Sequence, residues 1–587
     1  MQLAIGSSVG SARRIRFLCL PLTLVLVPSF LLVQSSATLQ AASPVATLVE
    51  AAKGDEPALV SRLIKEHADV NALANDGSSA LLWAAYHSDV KMTQALLAAG
   101  ATADTANHYG VTPLLQASRN GDVEVMRALL DGGAQPTRWH AEGETPLMAA
   151  ARTGHVDAVK LLLSRGSFVN AVDPFQEQTA LMWASAEGHL ETVKELLAAG
   201  ADPNLKAHVS RITDRKDADH PSGGFTALMF AVRNGHTEVA KALIDGKADL
   251  KLTNADGATA TIVAIANDRL DLAKELLDRG ADANDGALFF AVNMHDATTD
   301  MRAHDGSRLQ PDHANKLTSL ALINSLLDLG ADVNKPFVGA LHSTTLCCGA
   351  SINSSPFYRA AVSADVEVLK VMLAHGAKLE WSPSEVKGKD GKPAPRGANT
   401  DVGQTPVLAA IKGGKGAPLA GGPGFTRLGA PPFREAGSHD PTEALQLLLA
   451  AGANANAKVP DGSSALHQAV KLQQVGMIRA LAAAGAKLDA VNKENLTPLL
   501  AAEKIHAMTP AEILLSGGMD ADAYHMKQNT REEVIAALRD VMHLGPNDPA
   551  PQPPPMAKKA DAKDKDSKDI KGKESKDSSE VAVVSEQ

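Results

Sequence analysis

A glycine returns every 33 residues near the start of the chain, at Gly77, Gly110 and Gly143. Two residues after each glycine stands a serine or threonine, which an alanine or proline and then a leucine follow. A second glycine near the end of each unit keeps the same spacing (Gly100, Gly133 and Gly166). A fixed period of this length indicates one supersecondary unit copied along the chain, and such a unit buries its apolar face only against a neighbouring copy.

Residues 142–171 show what one unit contains. Thr145 is expected to cap a first short helix, with Pro146 at the first helical position, where a missing N–H has no cost. The branched residues of 156–163 predict a second helix, which Gly166 ends in the left-handed conformation. Small alanines on the first helix permit close approach of neighbouring helices. The unit is therefore read as helix, turn, helix.

The pattern resembles the ankyrin repeat, in which a Thr-Pro-Leu step, a Gly-His pair and a Gly-Ala-Asp step follow one another. The clearest matches are Thr179-Ala180-Leu181, Gly188-His189, Gly200-Ala201-Asp202, Gly235-His236 and Thr497-Pro498-Leu499. The resemblance implies an all-α solenoid of about twelve repeats, from about Ser43 to about Tyr524, with short β-hairpin-like fingers between repeats. It also implies structural roles for four histidines (His155, His189, His236 and His467).

The chain begins with arginines, an apolar run from Phe17 to Val33 and then small residues, the layout of a secretory signal. We therefore predict a signal peptide over 1–41 and an exported protein, periplasmic or extracellular. An uncleaved anchor is the alternative, and only that alternative attaches the chain to a membrane. Repeats are expected over 42–297 and, with long insertions, over 298–524.

Two further regions complete the domain organisation. A C-terminal cap helix is expected over 525–544, because Thr530 and Glu533 have the spacing of a capping box ahead of an apolar face. The proline-rich and then Lys/Asp/Ser-rich composition of 545–587 predicts disorder, since such a segment buries little apolar surface.

Charge and cysteine content exclude several function classes. The net charge of −10 becomes about −13 without the three arginines of 1–41, which argues against a general nucleic-acid surface. Apart from Cys19, the only cysteines are Cys347 and Cys348, so stability is expected from repeat stacking. The motifs of phosphate loops, zinc proteases and serine hydrolases are absent. We therefore expect no enzyme and no cofactor.

Long insertions interrupt the period at two kinds of position. Three lie where fingers join successive repeats (Lys206–Gly223, Pro336–Ser354 and Trp381–Val402), and two separate the helices of one repeat (Thr298–Thr318 and Gly413–His439). A disulfide between Cys347 and Cys348 would be strained, because adjacent Cα atoms lie about 3.8 Å apart. A redox or soft-metal role, an intermolecular disulfide and plain thiols stay open. The segment His295–His313 has metal-capable residues in no known ligand spacing, so a polar loop is favoured.

The resemblance places partners on the finger tips and on the concave side formed by the first helices. Mapped onto this chain, these positions hold aromatic and imidazole rings in a protein that is only 3% aromatic (His108, Tyr109, Trp139, His140, Phe175 and Phe225). Such rings are typical interface anchors. Four more rings share a position inside the first helices, as core packing or as the floor of a groove (Trp83, Trp183, Phe230 and Phe290).

Arg119, Arg152 and Arg233 occupy one register, near the end of the first helix of their repeats. Neighbouring helices are about 10 Å apart, so arginines in successive repeats would form a ladder that suits an extended acidic segment of a partner. The alternative is that these arginines are solvated or pair with nearby acids, such as Glu124, Glu142 and Asp157.

These observations favour a non-catalytic, exported scaffold for a protein partner. One alternative is an envelope redox or metal-handling protein that uses Cys347 and Cys348. Another is a secreted effector that binds host proteins. The sequence leaves the partner and the oligomeric state open.

Overall fold

The computed structural model describes residues 47–137, 143–211, 221–255, 257–296, 315–337, 353–385, 402–412, 440–505 and 529–553. Contacts divide the chain after Thr47, and all described residues from Leu48 onward belong to one compact unit. The predicted signal peptide, both cysteines of 347–348, and Trp139 and His140 lie outside the described residues.

The described residues form 24 helices and one hairpin. The helices are α1 (Leu48–Lys53), α2 (Pro57–Lys65), α3 (Ala80–Tyr86), α4 (Val90–Ala98), α5 (Pro113–Asn120), α6 (Val123–Asp131), α7 (Pro146–Thr153), α8 (Val156–Ser164), α9 (Ala180–Glu187), α10 (Leu190–Ala198), α11 (Ala227–Asn234), α12 (Thr237–Asp245), α13 (Ala260–Ala266), α14 (Leu270–Asp278), α15 (Ala287–Asp296), α16 (Ser319–Asp328), α17 (Pro356–Val362), α18 (Val366–Ala374), α19 (Pro406–Lys412), α20 (Pro441–Ala450), α21 (Ala465–Lys471), α22 (Val475–Ala483), α23 (Pro498–Glu503) and α24 (Arg531–Val541).

The helices pack as successive pairs. Each odd-numbered helix packs against the even-numbered helix after it and against the neighbouring odd-numbered helices. We call the odd-numbered helices inner helices and the even-numbered ones outer helices. The predicted all-α repeat solenoid is confirmed, whereas the count of about twelve repeats stays a prediction.

Polar caps fix where the inner helices begin. Thr145 Oγ1 accepts the backbone N–H of Met148 at 3.2 Å, and Pro146 is the first helical residue. Gly154 then ends the helix in the left-handed conformation, with φ of 78°. The cap predicted at Thr145 is thus confirmed, and the same Ser/Thr cap recurs along the stack (Ser79, Thr112, Thr179, Thr226, Thr259, Ser355, Ser464 and Thr497).

Small and branched residues of the inner helices form the core. Ala117 and Ala150 are fully buried where neighbouring inner helices meet, and Leu114 and Leu147 lie beside them, also buried. Alanine at such positions lets helices approach closely, and leucine then fills the space between pairs at crystal-like density. The repeat of small and large residues is therefore what sets the stacking.

Fingers connect the pairs and stack on one another. Most are tight turns, and the finger before α11 extends into a hairpin of β1 (Val209–Arg211) and β2 (Pro221–Gly223), in which Val209 pairs with Gly223. The recurring glycine has a steric cause: at Gly143 φ is 84°, and a Cβ there would lie 1.9 Å from Pro174 Cδ of the next finger. Only glycine accommodates both the turn and the contact.

The end of the stack differs in detail from the expected cap. Thr530 and Glu533 form the predicted capping box, and α24 packs against both α22 and α23. It thus takes the place of the outer helix that pairs with α23, while its role as the cap of the stack stays a prediction. The first residues of the predicted tail fold back, because Arg539 Nη1 donates to the carbonyl oxygens of Gly545 and Asp548, both at 2.8 Å.

Candidate partner-binding face

Tyr109 is presented at a finger tip by a turn that its own finger builds. Asn107 Oδ1 accepts the backbone N–H groups of Tyr109 at 3.1 Å and Val111 at 2.9 Å, and Gly110 supplies the positive φ of 78°. The Tyr109 side chain projects from this turn and is 67% exposed. A short polar side chain that hydrogen-bonds to the backbone beyond it is a stable local turn, so the exposed ring has a fixed base.

Phe175 lies at the equivalent tip two fingers later and is held in the same way. The buried Asp173 carboxylate accepts the N–H groups of Phe175 at 3.0 Å, of Gln176 at 2.6 Å and of Gln178 at 2.8 Å. Glu177 takes the left-handed conformation that glycine has in other fingers. The Phe175 ring is 59% exposed, so it has apolar surface available to a partner without any rearrangement.

Of the two histidines predicted at finger tips, His108 and His140, only His108 lies within the described residues. His108 is exposed, but its ring also packs over Gly77 of the preceding finger, where a Cβ would come within 2.7 Å of His108 Cδ2. Its backbone N–H donates to Asp76 O at 2.9 Å. His108 therefore joins two fingers. Trp139 and His140 lie outside the described residues.

Phe225 corrects the expectation of an exposed ring. It is half-buried and packs against Phe230, with ring centroids 5.5 Å apart. The Arg233 guanidinium lies over both rings, 5.5 Å from the Phe225 centroid and 5.2 Å from that of Phe230. Burial lowers the pKa of Arg233 from its usual range, and the group stays cationic at neutral pH. Phe225 thus supports an arginine instead of projecting from the finger.

The other two arginines share one carboxylate that the sequence analysis missed. Arg119 Nη2 lies 2.5 Å from Glu144 Oε2, and Arg152 Nη2 lies 3.3 Å from Glu144 Oε1. The Arg152 guanidinium also lies over the Trp183 ring, 5.4 Å from its centroid, within the range of a cation–π contact. Arg119 and Arg152 pair with a nearby acid, as the alternative predicted, and that acid is Glu144. Of the acids named for this role, Glu142 lies outside the described residues.

A second aromatic group lies at the start of the same face. The ring of Trp83 meets the exposed Tyr86 edge-on, with centroids 5.5 Å apart, and stacks on His87 at 6.3 Å. Lys53 Nζ lies 5.6 Å from the Trp83 centroid. The four rings that share a position inside the inner helices divide by burial: Phe230 and Phe290 belong to the core, whereas Trp83 and Trp183 remain half-exposed.

Histidines of the Gly-His position act as the resemblance implied. His189 lies over Gly154, and its Nε2 is 2.9 Å from Arg152 O of the preceding pair. His236 repeats the contact over Gly188, with Nε2 3.0 Å from Ala186 O.

Within the ranges described above, no group of three metal-capable side chains is present. The same residues include no helix with the length and apolar character to span a bilayer.

Comparison with known proteins agrees with the repeat pattern. A family model described as ankyrin repeats (3 copies) matches residues 48–140, 135–207 and 209–287. Among solved structures, the human ASB11 ankyrin repeat domain is similar, with 27% sequence identity and a TM-score of 0.34. The match covers 40% of this chain and 96% of that one. No curated protein is similar enough to this chain to count as a match.

Proposed function

Because this chain belongs to the ankyrin repeat family, whose repeats are generally protein–protein interaction modules, we propose that it is a non-catalytic scaffold for a protein partner. The binding surface is the side of the fingers and inner helices between α3 and α11. We call it the finger face, and its anchors are the exposed rings and the arginines already described (Tyr86, Tyr109, Phe175, Trp183, Arg119, Arg152 and Arg233).

The observation that carries this proposal is the way in which the exposed rings are held. Tyr109 and Phe175 project from turns that Asn107 and Asp173 close. A ring on a fixed turn loses little conformational entropy on binding, so more of its contact energy appears as affinity. Tyrosine, tryptophan and arginine are also the residue types that dominate interface hot spots. Rigid presentation is thus the proposed mechanism.

The same proposal places the protein outside the cytoplasm, on the strength of the arginines and the apolar run within residues 1–41. N-terminal sequencing of the protein from fractionated cells tests this part. A new N-terminus near residues 37–42 in the periplasmic or extracellular fraction supports export with cleavage. An intact Met1 in the membrane fraction supports the anchor instead, and recovery from the cytoplasm contradicts export.

Affinity capture with the full chain tests the scaffold function. The immobilised protein is exposed to the exported fraction of its own cells, and the bound proteins are identified by mass spectrometry. Combined Tyr109→Ala and Phe175→Ala substitution is expected to weaken capture by more than about tenfold, because both rings are hot-spot anchors. Leu329→Ala is the matched control, since Leu329 is 52% exposed at the end of α16, away from the finger face.

Far-UV circular dichroism of each variant excludes a loss of helix as the cause. Capture that survives the double substitution would contradict the finger face. Equal loss in the Leu329→Ala control would show that capture is a general apolar effect.

A further inference from the structure

Glu144 lies between arginines that belong to two neighbouring pairs. Its Oε2 accepts from Arg119 Nη2 at 2.5 Å and from Arg119 Nε at 3.2 Å, while its Oε1 lies 3.3 Å from Arg152 Nη2. The Glu144 side chain is 17% exposed, and those of Arg119 and Arg152 are 30% and 39% exposed. The carboxylate therefore sits at the surface of the finger face, where a partner can reach both guanidinium groups.

The fold does not require a carboxylate at this place. Glu144 stands two residues before the start of its inner helix. From α3 onward, the residues at that offset in the other inner helices are uncharged (Ser78, Val111, Gln178, Phe225, Ala258, Ser354, Gln404, Ser463 and Leu496), except in α15, where Asp285 stands there. Eight of those uncharged residues directly precede a Ser/Thr cap whose hydroxyl oxygen accepts a backbone N–H of the helix. The charge of Glu144 thus matters for its contacts with Arg119 and Arg152 and not for the packing of the helix pair α7–α8.

Among the described residues, Glu144 is the one carboxylate that pairs with Arg119 and Arg152, which leaves one of their two positive charges uncompensated. Within the part of the chain that the structure describes, no carboxylate lies within 4.0 Å of Arg233, whose Nε donates to Asn234 Oδ1 at 3.2 Å. The whole chain carries −10, so this cationic surface is opposite in sign to the rest of the molecule. Charge complementarity therefore favours an acidic partner.

We infer that Glu144 occupies, within the free protein, the place that a carboxylate of an acidic protein segment takes in the complex. This inference rests on the proposed function and names its partner chemistry. The incoming carboxylate displaces Glu144 from Arg119 and Arg152, a pairing that suits the planar guanidinium fork. Arg152 keeps its place over Trp183 throughout. Arg233, held on Phe225 and Phe230, receives a second carboxylate.

The spacing of these two anchors defines the segment. Arg152 lies on α7 and Arg233 on α11, with one inner helix between them. At about 10 Å per neighbouring helix, the two guanidinium groups are roughly 20 Å apart. An extended chain covers that distance in about six residues, at about 3.3 Å each. The partner segment is thus an extended strand with acidic residues about six positions apart.

Glu144→Gln separates this inference from a simple binding patch, because it predicts a gain. Gln178 and Gln404 stand at the same register in other pairs, so glutamine fits the fold. Without the internal carboxylate, the partner segment no longer competes with Glu144 for the two guanidinium groups, which are themselves partly exposed. We expect the variant to bind an acidic peptide roughly three- to tenfold more tightly.

The probe is a fluorescein-labelled, twelve-residue peptide of alternating glutamate and serine, titrated with the full chain and followed by fluorescence anisotropy. Glu124→Gln is the matched control, because Glu124 is 71% exposed on the outer helix α6 and pairs only loosely with Arg127. It changes the net charge by the same amount and is expected to leave the affinity unchanged. Arg152→Ala is expected to weaken binding about tenfold, by loss of the charged anchor.

Equal or weaker peptide binding by the Glu144→Gln variant, with unchanged circular dichroism, would overturn the inference, as would no binding by either protein at about millimolar concentration. A labelled oligonucleotide of twelve thymidines is the second probe. An equal gain for it would overturn the assignment to an acidic protein segment, because any polyanion would then suffice. A partner captured without any gain from Glu144→Gln would contradict this inference alone and leave the scaffold function standing.

Discussion

The first seven helix pairs, α1–α14, and the last four, α17–α24, share one packing scheme but differ in what they display. At the seventh position of the inner helices α3–α13 the first region has one tyrosine, three arginines and two alanines (Tyr86, Arg119, Arg152, Arg233, Ala186 and Ala266), while α1 is too short to have that position. The second region has valine and lysine there (Val362, Lys412, Lys471 and Lys504). Protein interfaces are enriched in tyrosine and arginine and depleted in lysine.

The packing of the helix pairs and the chemistry of their exposed residues are therefore separate properties of such a stack. Leu114 in α5 and Leu466 in α21 are equally buried, because both fill the space between neighbouring pairs. The residues that face solvent on the same helices are under no such constraint, so they vary with function. The first region therefore carries exposed tyrosine and arginine on a framework that the second region repeats without them.

Leu114→Ala and Leu466→Ala give the strongest test of the shared packing. Each removes a fully buried side chain from an inner helix, so each should lower the free energy of unfolding by about 2–5 kcal/mol. Urea denaturation followed by circular dichroism measures the loss, with the exposed-site variant Leu329→Ala as control. A loss below about 1 kcal/mol at Leu466 alone would show that the second region is not packed like the first.

Trp183→Ala tests whether the residues that bind the partner are confined to the first region. The ring supports Arg152 at 5.4 Å, and its removal should weaken partner binding by about 2 kcal/mol, roughly thirtyfold. Gln468, at the same helical position in α21, is the matched site, and Gln468→Ala should leave affinity unchanged. Biolayer interferometry with the captured partner measures both. Equal losses at the two positions would remove the distinction between the regions.

The packing could be predicted from the sequence because its signals are local. Thr145 caps its helix and Gly166 follows the second helix with positive φ, as the residue types alone indicate. Gly143 also recurs for a reason that lies partly in another finger, through its contact with Pro174. Periodicity captured that contact indirectly, since Gly77 of an earlier finger lies in the same way against His108 of the finger after it.

The arrangement of the exposed residues was harder to predict, because their contacts connect neighbouring helix pairs. Phe225 looked like an exposed anchor, yet the ring packs on Phe230 and supports Arg233. Glu144 was passed over, although it is the only charged residue directly before a Ser/Thr cap of the described inner helices. Comparing that register across the repeats would have found it, whereas its pairing with arginines of two helices needs the three-dimensional structure.

Thr145→Ala and Thr497→Ala compare the caps of the two regions. Each threonine accepts the N–H of the third helical residue, Met148 at 3.2 Å and Leu500 at 3.4 Å. Loss of such a cap costs about 1 kcal/mol, so both variants should lower the melting temperature by a few degrees at most. Thr→Ser at each site keeps the acceptor oxygen and should restore most of the loss. A failure of serine to do so would assign the loss to packing of the methyl group.

Acid should weaken the second region through His467, which stands at the third position of α21, where α7, α9 and α11 have methionine. Its Nδ1 accepts from Ser464, both from the backbone N–H at 3.3 Å and from the hydroxyl group at 2.8 Å, which leaves Nε2–H to donate to Leu496 O at 2.9 Å. A proton on Nδ1 would break the capping box. Burial is the main cause that lowers the pKa of His467.

The sign of the pH effect follows from that shift. The unfolded chain binds a proton at His467 below a pH of about 6.5, while the folded chain resists it, so stability is lost as the pH falls below that value. Amide hydrogen exchange in α21 should therefore speed up relative to α5 between about pH 7 and pH 5, after correction for intrinsic rates. His467→Met, which adopts the residue of the first region, should abolish the difference. If the His467→Met variant stays sensitive to acid, another titratable group causes the effect, and His467 does not explain the difference between α21 and α5.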